Sequence, residues 1–123
     1  MYIVTEHKSL KALNSFGIDV SARRYAEFAD AADLRVFFAD RRALDDPYYL
    51  LSGGNNVLFT GDFKGTILHP VSRGISLLEA GPDRVAVRVA GGEEWDDFVA
   101  WAVENGYGGV ENLSLIPGYV GAA

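Results

Sequence analysis

"LSGGNNVLFT", Leu51 to Thr60, sets a serine, two glycines and two asparagines between apolar runs. Gly and Asn accept backbone angles that turn consecutive N–H groups toward one point, so the stretch can cradle an anion such as a phosphate. Turns of the same composition also occur in proteins that bind nothing. The residues after the loop decide the fold. In a dinucleotide-binding βαβ unit the glycines open a helix. Here they lead into "VLFTGDFKGTILHPV" (57–71), whose Val, Phe, Thr and Ile favour strand. No helix dipole stands behind the loop, and the pattern departs from that unit.

Upstream, "VSARRYAEFA" (20–29) mixes β-branched, aromatic and polar residues as a strand does. Asp30 then offers an N-cap, with Asp33 in the capping-box position and Leu34, Phe37 and Phe38 on one helical face, which predicts a helix over 31–43. "YYLLSGG" (48–54) reads as a buried strand entering the loop, so the first 54 residues read as a β–α–β unit with a parallel crossover. Downstream, "GISLLEAGPDRVAVRVAGG" (74–92) predicts a hairpin turning at Gly81-Pro82-Asp83, with Val85, Val87 and Val89 alternating. "EEWDDFVAWAVENGYGG" (93–109) places Trp95, Phe98, Val99 and Ala102 at helical spacing and stops at Asn105-Gly106.

The chain has 123 residues, enough for one domain, with 49% hydrophobic and 23% charged residues, an ordinary globular composition. Its 11 Lys+Arg against 17 Asp+Glu give a formal charge of −6, which disfavours non-specific attraction to nucleic acid or an anionic membrane. An anionic ligand must then be held by local donors. Cysteine is absent, which removes disulfides and thiolate chemistry. The start carries no long apolar stretch, and a cytoplasmic location is the expectation.

Other clusters have plain readings. Glu93, Glu94, Asp96 and Asp97 suit a solvated first helical turn. Arg23-Arg24 and Arg41-Arg42 read as surface charges, Trp95 and Trp101 as core, and Phe16 of "NSFG" (14–17) as a residue plugged into the core. His7 and His69 are too few for a metal site, and no catalytic arrangement is evident. "IPGYVGAA" (116–123) lets backbone come close to a flat ligand, although an ordinary turn explains it equally well.

Taken together and in order, "NSFG", "LSGGNNVLF" and "GVENLSLIPGYVGAA" resemble the FAD-binding part of the UDP-N-acetylenolpyruvoylglucosamine reductase family, also called UDP-N-acetylmuramate dehydrogenases. The similarity runs from about Ser9 to Ala123, and Gly91, Gly92 and Glu93 match the family's "GAGE" segment. The resemblance implies an α+β fold, the FAD-binding fold of the vanillyl-alcohol-oxidase type. A small β–α–β subdomain over about 1–56 would be followed by the start of an antiparallel-sheet subdomain over about 57–123, truncated at its C-terminal side.

By the same resemblance, Ser52, Gly53, Gly54, Asn55 and Asn56, with Val57 and Leu58 behind them, form the pyrophosphate loop. Asn14, Ser15 and Phe16 match the family's "NTFG", and Ile116, Pro117, Gly118, Val120, Gly121 and Ala122 match a second FAD loop. Ser52 stands where glycine is usual, Asn55 where serine is usual and Ser15 where threonine is usual. The implied whole enzyme takes hydride from NADPH through FAD to the enolpyruvyl double bond of a UDP-sugar, in peptidoglycan synthesis. The family's catalytic serine, arginine and glutamate match no residue of this chain, which is therefore expected to be inactive alone. Its last segment, about Leu115 to Ala123, is expected to be mobile or borrowed by a neighbouring molecule, with Ile116, Tyr119 and Val120 left partly exposed and inviting self-association. Another FAD-linked oxidoreductase of the same fold, or a non-catalytic nucleotide- or protein-binding module, remains open.

Overall fold

The computed structural model describes residues 2–40 and 45–123. They form two compact units, Met1–Val71 and Ser72–Ala123. The first holds a four-stranded sheet built from β1 (Ile3–Ser9), β2 (Ser21–Phe28), β3 (Tyr48–Leu50) and β4 (Phe63–Pro70) in the order β1-β2-β4-β3. β1 runs antiparallel to β2, whereas β4 is parallel to both β2 and β3.

The strand at the centre is β4, and its sequence says why. Gly65, Thr66, Ile67, Leu68 and His69 are all buried in succession, as a parallel strand covered on both faces must be. Side chains alternate between the faces. Ile67 joins Leu10, Val20, Ala22, Tyr25 and Leu51 in one core, while Leu68 joins Ala26 and Phe37 in a second core under α1 (Ala31–Ala39). β2 and β3 are thus parallel, as a crossover requires, but β4 separates them. The expected buried strand at 48–54 is in fact a short exposed edge, with Leu50 60% exposed and burial beginning only at Leu51. The first compact unit runs on to Val71, because β4 fills the slot between β2 and β3. β1 carried no strand reading in the sequence; all its residues are exposed, so no half-buried alternation marks it.

α1 starts as its cap predicts. Asp30 accepts hydrogen bonds from the N–H groups of Ala32 (2.8 Å) and Asp33 (3.0 Å). Asp33 reaches back beyond the cap residue and accepts from Ala29 N–H at 3.1 Å. The helix stops at Ala39 with Asp40 as its C-cap; residues 41–43, the rest of the predicted span, lie outside the described residues. Phe37 is buried but Phe38 is exposed, meeting Tyr48 edge-on at 5.2 Å. The Arg23 and Arg24 guanidinium groups are not free surface charges, since both pair with Asp46, at 3.0 and 2.7 Å.

The second unit contains the predicted hairpin, β5 (Ile75–Ala80) and β6 (Val85–Val89), closed by Gly81 N–H donating to the Arg84 carbonyl at 2.8 Å. The helix α2 (Trp95–Glu104) ends in a Schellman motif. Gly106 adopts φ +73°, its N–H donates to Val103 and the Tyr107 N–H to Ala102. Trp95, Phe98, Trp101 and Tyr107 form a chain of ring contacts 5.6 to 6.3 Å apart. Among the described residues no helix is long and apolar enough to cross a membrane.

A Cβ on Gly65 would lie 1.9 Å from the Pro47 carbonyl oxygen, which the adjacent Thr66 N–H holds at 2.9 Å, whereas at Gly61 nothing lies within 4 Å. Gly65→Ala is expected to lower stability by about 1–3 kcal/mol, and Gly61→Ala by less than about 0.5 kcal/mol; urea denaturation of both variants checks the pair. In the second unit, the backbone N–H groups of Glu111 and Gly109 hold the Glu111 carboxyl below its ordinary value of 4.5. Because its pKa is depressed in the folded state, its hold on this turn is present above the ordinary value and lost as pH falls through the lower folded one. A pH titration of the Gly109 amide signal should therefore show a midpoint below 4.5.

Candidate functional site

In the first unit the loop leaves β3 through Leu51, whose N–H donates to the Leu68 carbonyl and whose carbonyl accepts from His69 Nδ1, both at 2.9 Å. Further along the loop, Gly54 has φ +67°. A Cβ there would fall 1.9 Å from the Leu13 carbonyl oxygen and 2.9 Å from the Asn14 Cα. Glycine is demanded twice, by the left-handed backbone and by the backbone packed against it. The Gly54 carbonyl accepts from the Ser15 N–H at 3.0 Å, and Ser15 Oγ lies 3.4 and 3.3 Å from the carbonyls of Gly54 and Asn55. Two of the three candidate loops, 14–17 and 52–56, are therefore one construction.

Asn14 braces that construction from inside. Its buried amide donates to the carbonyls of Leu10 (2.8 Å) and Ile18 (3.1 Å) and accepts from the Ile18 N–H at 3.0 Å. With both donors used, Asn14 can act on a ligand only through the loop it shapes. Ser15 likewise spends its hydroxyl on the neighbouring loop. Phe16 is 65% exposed, not the core plug the sequence suggested, because the Gly17 turn (φ +64°) and the Asn14 bonds draw the chain back beneath it. Val57 packs on the core and Leu58 faces solvent.

What the loop leaves unused is its donors. Among the described residues, the N–H groups of Gly53, Gly54, Asn55 and Asn56 donate to no backbone or side-chain acceptor. Ser52 Oγ is buried with no hydrogen-bond partner. A buried hydroxyl left unsatisfied costs about 1–3 kcal/mol, a deficit that a ligand oxygen would relieve. Consecutive free N–H groups beside a free hydroxyl match the needs of a diphosphate, whose oxygens only accept.

In the second unit, Ile116 to Ala122 is laid along the turn that precedes α2. Trp95 N–H donates to Gly118 (2.9 Å), Val120 N–H to Glu93 (2.8 Å) and Gly121 N–H to Gly91 (3.0 Å). A Cβ on Gly121 would sit 3.0 Å from Gly91 Cα, so two backbones touch here as well. Leu115 carries a left-handed φ of +61°, held by its N–H donating to Asp96 Oδ1 at 2.6 Å, and Trp95 Nε1 donates to the Leu113 carbonyl at 2.7 Å. The segment expected to be mobile thus carries hydrogen bonds to the turn before α2 and to the start of α2, with Leu115 and Ile116 exposed and Tyr119 and Val120 half-buried. Asp96 is a clasp for the loop. Glu93 is also engaged, accepting from Gly74 N–H at 2.6 Å and from Arg73 at 3.2 Å.

Sequence reasoning missed Leu13, whose main chain forms the wall against Gly54, and His69, which holds the carbonyl before Ser52. Nothing in a leucine's identity announces a backbone contact. For His69 a signal exists in "LHPV", where a polar residue closes the apolar run of β4 next to proline.

The FAD binding domain family matches residues 22–123 of this chain. A reductase from Pseudomonas aeruginosa named UDP-N-acetylenolpyruvoylglucosamine reductase is 47% identical over 118 residues, covering 96% of this chain and 35% of that protein. One of the same name from Bacteroides fragilis is 47% identical over 115 residues, covering 94% of this chain and 34% of its own length. A crystal structure of UDP-N-acetylenolpyruvylglucosamine reductase from Thermus caldophilus superposes with a TM-score of 0.71 at 22% identity, over 100% of this chain and 41% of that one, a likeness of fold. The chain thus spans about a third of the length of the curated relatives it matches. It belongs to the FAD binding domain family, and its curated relatives there carry the name UDP-N-acetylenolpyruvoylglucosamine reductase.

Proposed function

We propose that this chain holds the diphosphate of FAD on the loop Ser52–Asn56, and that it serves in this way as the flavin-holding portion of a UDP-N-acetylenolpyruvoylglucosamine reductase. The observation that carries the reading is the set of unpaired N–H groups from Gly53 to Asn56 beside the orphaned Ser52 hydroxyl. In a chain of net charge −6, neutral donors achieve what basic side chains would otherwise supply. When bound, FAD supplies the hydride chemistry. The residues of this chain bind and orient it. Gly53, Gly54, Asn55, Asn56 and Ser52 would face the phosphates, Asn14 and Ser15 would keep the loop in shape, and the exposed Phe16 ring would offer an apolar surface beside it.

Ile116, Pro117, Gly118, Val120, Gly121 and Ala122 are assigned to the cofactor as well, through the family resemblance, with the N–H groups of Val120 and Gly121 already spent on Glu93 and Gly91. The relatives' name supports reduction of the enolpyruvyl group of a UDP-sugar; NADPH as hydride donor and a place in cytoplasmic cell-wall synthesis belong to the reading through the family resemblance alone. Those steps need groups beyond the residues of these two loops.

Titration of the purified chain with FAD, followed by flavin fluorescence, tests the reading. FAD should bind, ADP should compete and riboflavin, which lacks the diphosphate, should not. Absence of FAD binding, or riboflavin binding as tightly, would count against it; ADP binding with no preference for FAD would favour a nucleotide-binding module instead. Ser52→Ala gives a sharper check because its two effects have opposite signs. Removing an unsatisfied buried hydroxyl should leave the apoprotein as stable or more so, while FAD affinity falls by about tenfold, the worth of a hydrogen bond to a charged oxygen.

Gly54→Val does not separate ligand from fold, since its Cβ meets Leu13 with or without a ligand. It is expected to destabilise the apoprotein by more than about 2 kcal/mol, from strain and steric overlap together, as thermal melting would show.

A further inference from the structure

The β3–β4 ladder has a gap at the mouth of the loop. In a parallel pair, donors come alternately from the two strands. Thr66 N–H donates to Pro47 at the start of the pairing, and Leu51 N–H donates to Leu68 at its end, with Tyr49 opposite Ile67 between them. The next rung calls for the N–H of residue 70 to reach the Leu51 carbonyl. Residue 70 is proline and has no N–H. Leu51 is almost completely buried, so its carbonyl has no recourse to water. His69 fills the gap: its Nδ1 lies 2.9 Å from the Leu51 oxygen, and since a carbonyl only accepts, the ring must carry a proton on Nδ1.

The imidazole is itself well fixed. It is 6% exposed and stacks on the Tyr25 ring at 5.8 Å with an interplanar angle of 28°. What it fixes in turn is a peptide plane. The Leu51 carbonyl and the Ser52 N–H belong to one trans peptide and point in opposite directions. Holding the carbonyl toward His69 aims the Ser52 N–H away from it and sets the angle at which the chain enters Ser52 and Gly53. At the far end of the loop, Gly54 is held by Ser15 and walled by Leu13.

We propose that His69 is a positioning residue: its side chain replaces the ladder donor that Pro70 lacks, fixes the Leu51–Ser52 peptide, and so orders the donor loop for an anionic ligand. This rests on the flavin reading only for the identity of that ligand. The ordering of the loop is a property of the protein by itself and is measured without one.

The test uses His69→Leu, Pro70→Ala and the double variant, in the full chain. Backbone order parameters of Ser52 to Asn56, from ¹⁵N relaxation without ligand, are the first readout, and FAD affinity is the second. His69→Leu should drop the loop order parameters from about 0.85 to below about 0.6, with β2 and β4 unchanged, and weaken FAD at least tenfold. Pro70→Ala restores a backbone N–H in the missing rung, so the double variant should regain most of the order and affinity. His69→Asn, which keeps a donor near the Nδ1 position, should stay within threefold of the parent.

A loop as ordered in His69→Leu as in the parent would overturn the proposal. So would a double variant as disordered as His69→Leu. Should His69→Leu alone not fold, the double variant decides, and it must fold with an ordered loop. Failure of the parent to bind FAD would overturn the flavin reading, while the order parameters would still decide the role of His69.

Discussion

At Gly54 two main chains lie closer than any side chain would permit. The left-handed turn of the donor loop is pressed against the carbonyl of Leu13 and the Cα of Asn14, and Ser15 ties the two segments with its N–H and hydroxyl. The arrangement of the first unit's site depends on this approach. It makes the 14–17 segment a wall for the 52–56 segment, and consumes the polar groups of Asn14 and Ser15 in doing so. Among the described residues, the N–H groups from Gly53 to Asn56 are left without a protein acceptor. Backbone N–H groups that no protein acceptor uses are open to a partner that only accepts.

The second unit solves a similar problem by similar means. Gly91 and Gly121 allow the segment Ile116–Ala122 to lie directly on the turn before α2, and hydrogen bonds from Trp95, Val120 and Gly121 lock the pair. The side chains of Asp96 and Trp95 then clasp Leu115 and Leu113. In both units, glycine marks contact between backbones, and polar side chains serve the shape of a loop ahead of any ligand. A negatively charged protein can in this way offer an anion a favourable surface without a cluster of cations.

The centre of the first unit's sheet rewards a comparison of two apolar runs. "YYL" (48–50) and "TIL" (66–68) look equally strand-like, yet the first is an exposed edge and the second the buried middle. Periodicity within either run could not rank them, because both lack the alternation of a half-buried strand. The ranking comes from pairing: β4 finds partners on both sides, and β3 on one. The same pairing places Pro70 beside Leu51 and gives His69 its task. A histidine that looked isolated in the sequence is thus set at the mouth of the loop.

Local chemistry in the sequence determined a good deal. Asp30 as a cap, Asn105-Gly106 as a helix end, Gly81-Pro82-Asp83 as a turn and the glycines of 52–56 as a loop all hold, because each depends on interactions within a few residues. The resemblance of the three loops to a flavin-binding family was legible for the same reason, since each motif is a contiguous string. Tertiary structure alone decided the strand order, the exposure of Phe16 and β3, the engagement of Asn14, Ser15, Asp96 and Glu93, and the pairing of Arg23 and Arg24 with Asp46. These depend on what lies across space from a residue, and a side chain's hydrogen bonds are assigned only when distant segments arrive beside it. The Leu13 carbonyl shows the limit most clearly: a main-chain atom, common to every residue type, forms the wall that makes Gly54 irreplaceable.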